Sequence, residues 1–164
     1  MIPFKAIRST IVRGLASHLG LPVIELNGGG DIPKTAFLTY DFDQGIGESK
    51  GFPVEFQEGS KIRQVETVPF TVSFLSYADD KATSIENAMR ARDWFKTTGY
   101  EVLKDTVNVV VADLGPVENR DVLIGVEWER RQGFDVDFRT IDETEMALVT
   151  IDKANVKGVE NVGG

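Results

Sequence analysis

Cysteine is absent from all 164 residues. That excludes disulfide scaffolds, thiolate zinc sites, iron–sulfur clusters and cysteine nucleophiles. Histidine occurs once, at His18. A multi-histidine metal site is therefore excluded, and any Ser-His-Asp triad would have to use His18. Basic residues are in short supply, 18 against 26 acidic, for a net charge of −8. Wrapping nucleic acid needs Lys and Arg on phosphates, so the balance argues against that as the main task. No apolar run approaches the ~20 residues that span a bilayer. The first twenty residues lack the continuous apolar stretch of a signal peptide, being interrupted by Lys5, Arg8, Arg13 and His18. What is present is ordinary for a folded domain: 41% apolar and 27% charged residues. The expectation is one soluble domain working or assembling in a reducing cytoplasm, with no membrane involvement.

Hydrophobic spacing predicts helix, strands, helix, strands. Ile7, Ile11, Leu15 and Leu19 recur at helical spacing, with Pro3 at the start and Gly20 at the stop. Pro22–Leu26 reads as a short strand and 27–33 as a loop. Ala36–Asp43 alternates, with Leu38, Tyr40 and Phe42 on one face. Three glycines and a proline make 44–53 a long loop. Val54–Phe56 and Ile62–Val68 read as hairpin arms around Glu58-Gly59-Ser60. Phe70–Tyr77 carries apolar residues on both faces and is read as a central strand. Asp79 or Asp80 caps a second helix with a stripe of Ile85, Ala88, Met89, Arg92 and Phe95, closed by Gly99. Val107–Val111 reads as a strand and 115–121 as a turn. Val122–Arg130 and Phe134–Thr140 read as a hairpin turning at Gln132-Gly133. From Ile141 onward apolar residues thin out. The expected fold is α+β, a mostly antiparallel sheet with two helices on one face. A single domain would span 1–143, with an extended loop at 44–53 and a C-terminal arm or tail over 144–164.

Little in this pattern points to catalysis. Gly28-Gly29-Gly30 leads to Pro33 and a strand, whereas a phosphate loop needs a helix N-terminus after it. Gly45, Gly47 and Gly51 have the wrong spacing for a dinucleotide fingerprint. Asp41/Asp43, Glu127/Glu129 and Asp135/Asp137 each sit two apart on a strand and so share a face. Such pairs can bind a divalent cation or do acid–base work, but they equally make a solvated or inter-subunit sheet face. Glu48-Ser-Lys50 has the order of a nuclease motif but lies in a loop. His18, late in its helix beside Ser17, suits a helix C-terminus, and no Gly-x-Ser-x-Gly elbow supplies a nucleophile. Lys5, Arg8 and Arg13 lack the aromatic interleaving of a nucleic-acid surface. Glu127-Trp-Glu-Arg-Arg131 is the most charged strand segment. Its mixed sign can block edge pairing or set register against another subunit.

Taken in order, Ala91-Arg-Asp-Trp-Phe95, Val117-Glu-Asn-Arg-Asp121, Glu127-Trp-Glu-Arg-Arg131 and Gly133-Phe-Asp-Val136 resemble the neck or tail terminator proteins of long-tailed bacteriophages. Leu19-Gly-Leu-Pro-Val-Ile24 and Val72-Ser-Phe-Leu-Ser-Tyr77 add to the resemblance, which covers roughly residues 7–143. Gln132 departs from it, standing where an aromatic residue is expected. The resemblance implies a structural virion protein, not an enzyme, without cofactor or metal. It implies a homo-oligomer, typically a six-fold ring, assembled in the bacterial host cytoplasm. The ring would sit on the head-proximal end of the tail tube, stop tube polymerisation and meet the head connector or stopper protein. DNA would pass through the lumen without specific binding, past acidic side chains. The charged run places subunit contacts at Arg120, Asp121, Glu127, Glu129, Arg130, Arg131 and Asp135. Two other readings stay open: another head–tail joining protein (stopper or adaptor), and a small metal- or nucleotide-dependent enzyme using the paired carboxylates.

Overall fold

A computed structural model describes residues 1–49 and 51–149. The chain opens with α1 (Phe4–Leu19), whose buried stripe is Ile7, Ile11, Leu15 and Leu19. Gly20 ends it in the left-handed conformation at φ 66°, a geometry that favours glycine. Strands β1 (Val23–Glu25) and β2 (Phe37–Asp41) follow, then β3 (Val54–Glu58) and the long β4 (Lys61–Tyr77). The β3–β4 turn falls at Gly59-Ser60, as the sequence predicts, with Gly59 at φ 62°.

Helix α2 (Lys81–Lys96) begins at Asp80, whose carboxylate accepts from the Thr83 amide at 2.8 Å. Its buried face is Ser84, Asn87, Ala88, Ala91, Trp94 and Phe95. The predicted stripe is therefore rotated: Met89 is exposed, and Arg92 bonds the carbonyls of Gly115 and Leu114 at 2.7 and 3.2 Å. The helix does not close at Gly99. It breaks at Thr97, and a third helix, α3 (Thr98–Val107), continues to Asn108 at φ 53°. Among the described residues three helices, not two, thus cover the sheet, and the strand expected from Val107 becomes β5 (Val110–Leu114). Gly99 serves packing instead. Trp94 lies between Gly99 and Gly14, and a Cβ on either glycine would collide with the indole ring.

The remaining strands are β6 (Glu118–Asn119), β7 (Val122–Ile124), β8 (Glu127–Glu129) and β9 (Arg131–Ala147). The main sheet runs β1-β2-β4-β9-β5, with β3 beside the first part of β4 and β6 beside the start of β9. All its pairings are antiparallel except β1–β2, which is parallel, so the sheet is mixed. Two further expectations are corrected. Val122–Arg130 is not one strand but a small hairpin, β7–β8, folding back at Gly125 (φ 65°). Gln132-Gly133 is not a turn but lies inside β9. Strand β9 also runs past the boundary expected at 143/144, pairing with β4 as far as Ala147 opposite Lys61. Residues 150–164 of the expected C-terminal arm lie outside the described residues.

The core forms where one face of the β4–β9 ladder meets the helices. Phe70 stacks on Phe138 and Phe74 on Phe134, with ring centroids 5.1 and 5.3 Å apart. Phe95 from α2 reaches Phe74, Phe134 and Phe138. Overpacking a close contact of this kind costs about 1–3 kcal/mol. Gly14→Ala is expected to lower stability by that amount. Urea unfolding checks it, through a reduced midpoint with an unchanged slope.

Candidate assembly surface

The face of the sheet away from the helices is polar. Along β4 it presents Thr71 and Ser73, flanked by Asp137 and Asp135 on β9 and by Asp41 on β2. The Thr71 hydroxyl donates to Asp137 at 2.7 Å and the Ser73 hydroxyl to Asp135 at 2.6 Å. Two of the three predicted carboxylate pairs therefore meet on one face, and β4 hydroxyls occupy Asp135 and Asp137. Burial, then the neighbouring carboxylates of Asp43 and Glu25, push the Asp41 carboxyl upward. Among the described residues, no group of three or more His, Asp or Glu side chains stands close enough to hold a metal ion. His18 bonds the Arg90 carbonyl across the helices at 3.1 Å, a structural contact.

The charged run lies at the β6–β9 end of this sheet. Asp121 is its anchor, with only 4% of its side chain exposed. Its Oδ2 accepts from Arg130 at 3.0 Å, and its Oδ1 accepts from the Arg131 amide at 2.8 Å. Burial alone would raise this carboxyl. The Arg131 amide and the Arg130 guanidinium outweigh burial and hold it below the ordinary carboxylate value. Arg131 donates through Nε to the Arg120 carbonyl at 2.6 Å and pairs with Glu129 at 3.6 Å. Arg120 reaches Asp135 at 3.2 Å and Glu118 at 3.5 Å. Its side chain lies flat over Gly133, where a Cβ would stand 2.5 Å from Arg120 Cδ. Gln132 is buried and directs its amide toward Asn119 and Asp121, at 3.3 and 3.4 Å. A polar side chain thus fills the position where the family resemblance leads one to expect an aromatic.

Of the seven predicted contact residues, six are held by one another within the chain. Arg120, Asp121, Glu129, Arg130, Arg131 and Asp135 form a network that roots the β7–β8 hairpin to the sheet. Glu127 lies on the hairpin and makes no ion pair among the described residues. Sequence reasoning missed what the network presents. Ile124, Val126 and Trp128 are 59%, 95% and 53% exposed on the hairpin. Arg130 stands over the Trp128 ring, 5.8 Å from its centroid, so the same arginine that grips Asp121 also positions the indole. Between the hairpin and the 27–36 loop lies a groove of about 980 Å³ lined by Leu26, Ile32, Phe37, Ile124, Trp128 and Arg131, among others.

The other end of the molecule also carries exposed apolar groups. Beyond the core, β3, β4 and β9 continue as a three-stranded extension. Arg63 binds Glu58, Glu143 and Glu145 across it. Phe52, Val54 and Phe56 are 99%, 62% and 43% exposed there. Exposed apolar clusters of this kind mark interaction surfaces.

An α+β domain with ion-pinned projections at both ends has the form of an assembly unit. The model of the phage neck terminator protein family matches residues 5–164, and the chain belongs to that family. It is thus a structural phage protein of the virion neck, where head and tail are joined, and it assembles with other head or tail proteins. No curated protein shows significant similarity to the chain.

The Asp121 network has a pH signature. Because the folded-state value is depressed, its stabilisation is complete above the unfolded carboxylate value of about 3.9 and is lost as pH falls through the lower folded value. Asp121→Asn is expected to cost about 2 kcal/mol at pH 7, typical of hydrogen bonds to a charged group. Denaturation as a function of pH should show the gap between variant and wild type closing below pH 4.

Proposed function

We propose that the chain is a tail terminator, a non-enzymatic subunit of a ring, with six copies expected, on the head-proximal end of the phage tail tube. The ring stops tube polymerisation and offers its other face to the head connector or stopper protein. The observation that carries this reading is the family match over nearly the whole chain. A closed ring needs a heterologous contact, in which two different patches meet. The exposed hairpin at one end and the exposed β3–β4–β9 extension at the other are two such patches. In this reading the charged run acts at the subunit boundary. Glu127 touches the neighbour, while Arg120, Asp121, Glu129, Arg130, Arg131 and Asp135 hold the hairpin in position. The acidic open face, with Asp41, Asp43, Asp135 and Asp137, lines the lumen and repels the passing genome. Assembly takes place in the host cytoplasm before the virion is complete.

The test is a phage lacking this chain, complemented with wild-type or variant copies and viewed by electron microscopy. Without the chain, tails should exceed their normal length and fail to join heads, and the wild-type copy should restore both. Tails of normal length without the chain, still unattached to heads, would instead assign it to a stopper or adaptor role.

A further inference from the structure

We infer that the β3–β4–β9 extension of one copy docks in the hairpin groove of the next, Phe52, Val54 and Phe56 seating against Ile124 and Trp128. This rests on the ring reading above and names its surfaces. The geometry starts from the β4–β9 ladder. Phe56 is in register with Arg63, and the hairpin joins the sheet at Arg131, which faces Tyr77. At strand rise, the path along β4 from Arg63 to Tyr77 covers roughly 45 Å. The two apolar patches are therefore too far apart to cover each other within one chain, yet both leave large side chains in water. Phe52 is 99% exposed, and Val126 at the hairpin turn 95%.

The occupant is a second copy because the patches differ in shape. The extension is a narrow three-stranded ribbon that projects beyond the core, and the hairpin and the 27–36 loop flank an open groove of about 980 Å³. Ribbon into groove is a heterologous fit that propagates around a ring, whereas ribbon on ribbon or groove on groove would stop at a dimer. The area is sufficient to matter. An aromatic side chain buries about 150–250 Å², so Phe52, Val54 and Phe56 together supply on the order of 400 Å². That is about half of the roughly 800 Å² per partner in a standard interface. The ends are also braced for the task. Arg63 with Glu58, Glu143 and Glu145 stiffens the ribbon, and Asp121 with Arg130 stiffens the hairpin, so less ordering cost falls on association.

The absence of cysteine makes a clean test possible, since the wild type cannot cross-link through thiols. Val54 and Ile124 are exposed, so Val54→Cys and Ile124→Cys leave the core intact. Full-length protein, alone and on tail tubes, is oxidised and run without reductant. The expected result is a ladder of covalent multimers from the double variant, ending at the closed ring and collapsing with dithiothreitol. A mixture of the two single variants should give a dimer and nothing larger, and neither single variant should cross-link by itself. A dimer from one single variant alone would overturn the proposal, because like would then be meeting like. So would a lack of cross-links in protein that caps tubes, which would give these patches to the tube or connector. Normal tails without the ladder would reject the docking surface and keep the terminator reading. A ladder from protein that cannot restore tail length would do the reverse.

Discussion

The molecule depends on the antiparallel pairing of β4 with β9, which runs without interruption from Lys61 opposite Ala147 to Tyr77 opposite Arg131. In its middle the ladder builds the core, where Phe70, Phe74, Phe134 and Phe138 stack in cross-strand pairs beneath the helices. At one end it outruns the core and becomes the arm that carries Phe52, Val54 and Phe56. At the other it anchors the Asp121 network and the hairpin. One strand pair thus sets both the stability of the domain and the distance between its two projections. Cross-strand aromatic pairs supply the first, and backbone hydrogen bonds carry the second beyond the reach of the core.

Charge is used mainly for holding. Arg63, Arg120, Arg130 and Arg131 each answer carboxylates from a neighbouring strand or turn. Partly exposed pairs of this kind contribute little each, but a network with a nearly buried carboxylate at its centre fixes geometry. The helices are tied in by arginine as well. Arg92 reaches the carbonyls of Leu114 and Gly115, and Arg90 that of Leu19. The result is a cross-braced domain with apolar projections, the form suited to a subunit whose neighbours complete its burial.

Much of this was legible in the sequence where a buried face imposes a period. The stripe of α1, the central strand at Phe70–Tyr77 and the Gly59-Ser60 turn all follow from apolar spacing. The misreadings have physical causes. The part of β9 beyond Asp142 is exposed on both faces, so no hydrophobic alternation betrays it and only backbone pairing with β4 makes it a strand. Val122–Arg130 alternates across Gly125, yet a positive φ there folds the run into a hairpin. Gly99 looked like a helix stop, but its small size accommodates Trp94, and the left-handed cap belongs to Asn108. The charged run was found as a cluster. Its internal pairing was not visible, because nothing in one strand says that Asp121 will lie beneath Arg130. The exposed Trp128 and Val126 were missed because alternation along Val122–Arg130 says which residues share a face but not whether anything covers it.

The central proposal is that copies of this chain close into a discrete ring in the phage neck. Light scattering on the purified protein, with and without tail-tube protein, tests it most directly. Six copies of an 18.1 kDa chain weigh roughly 110 kDa. A species of that mass, alone or formed only on tubes, is the predicted result. A chain that stays at monomer mass and ignores the tubes would contradict the account.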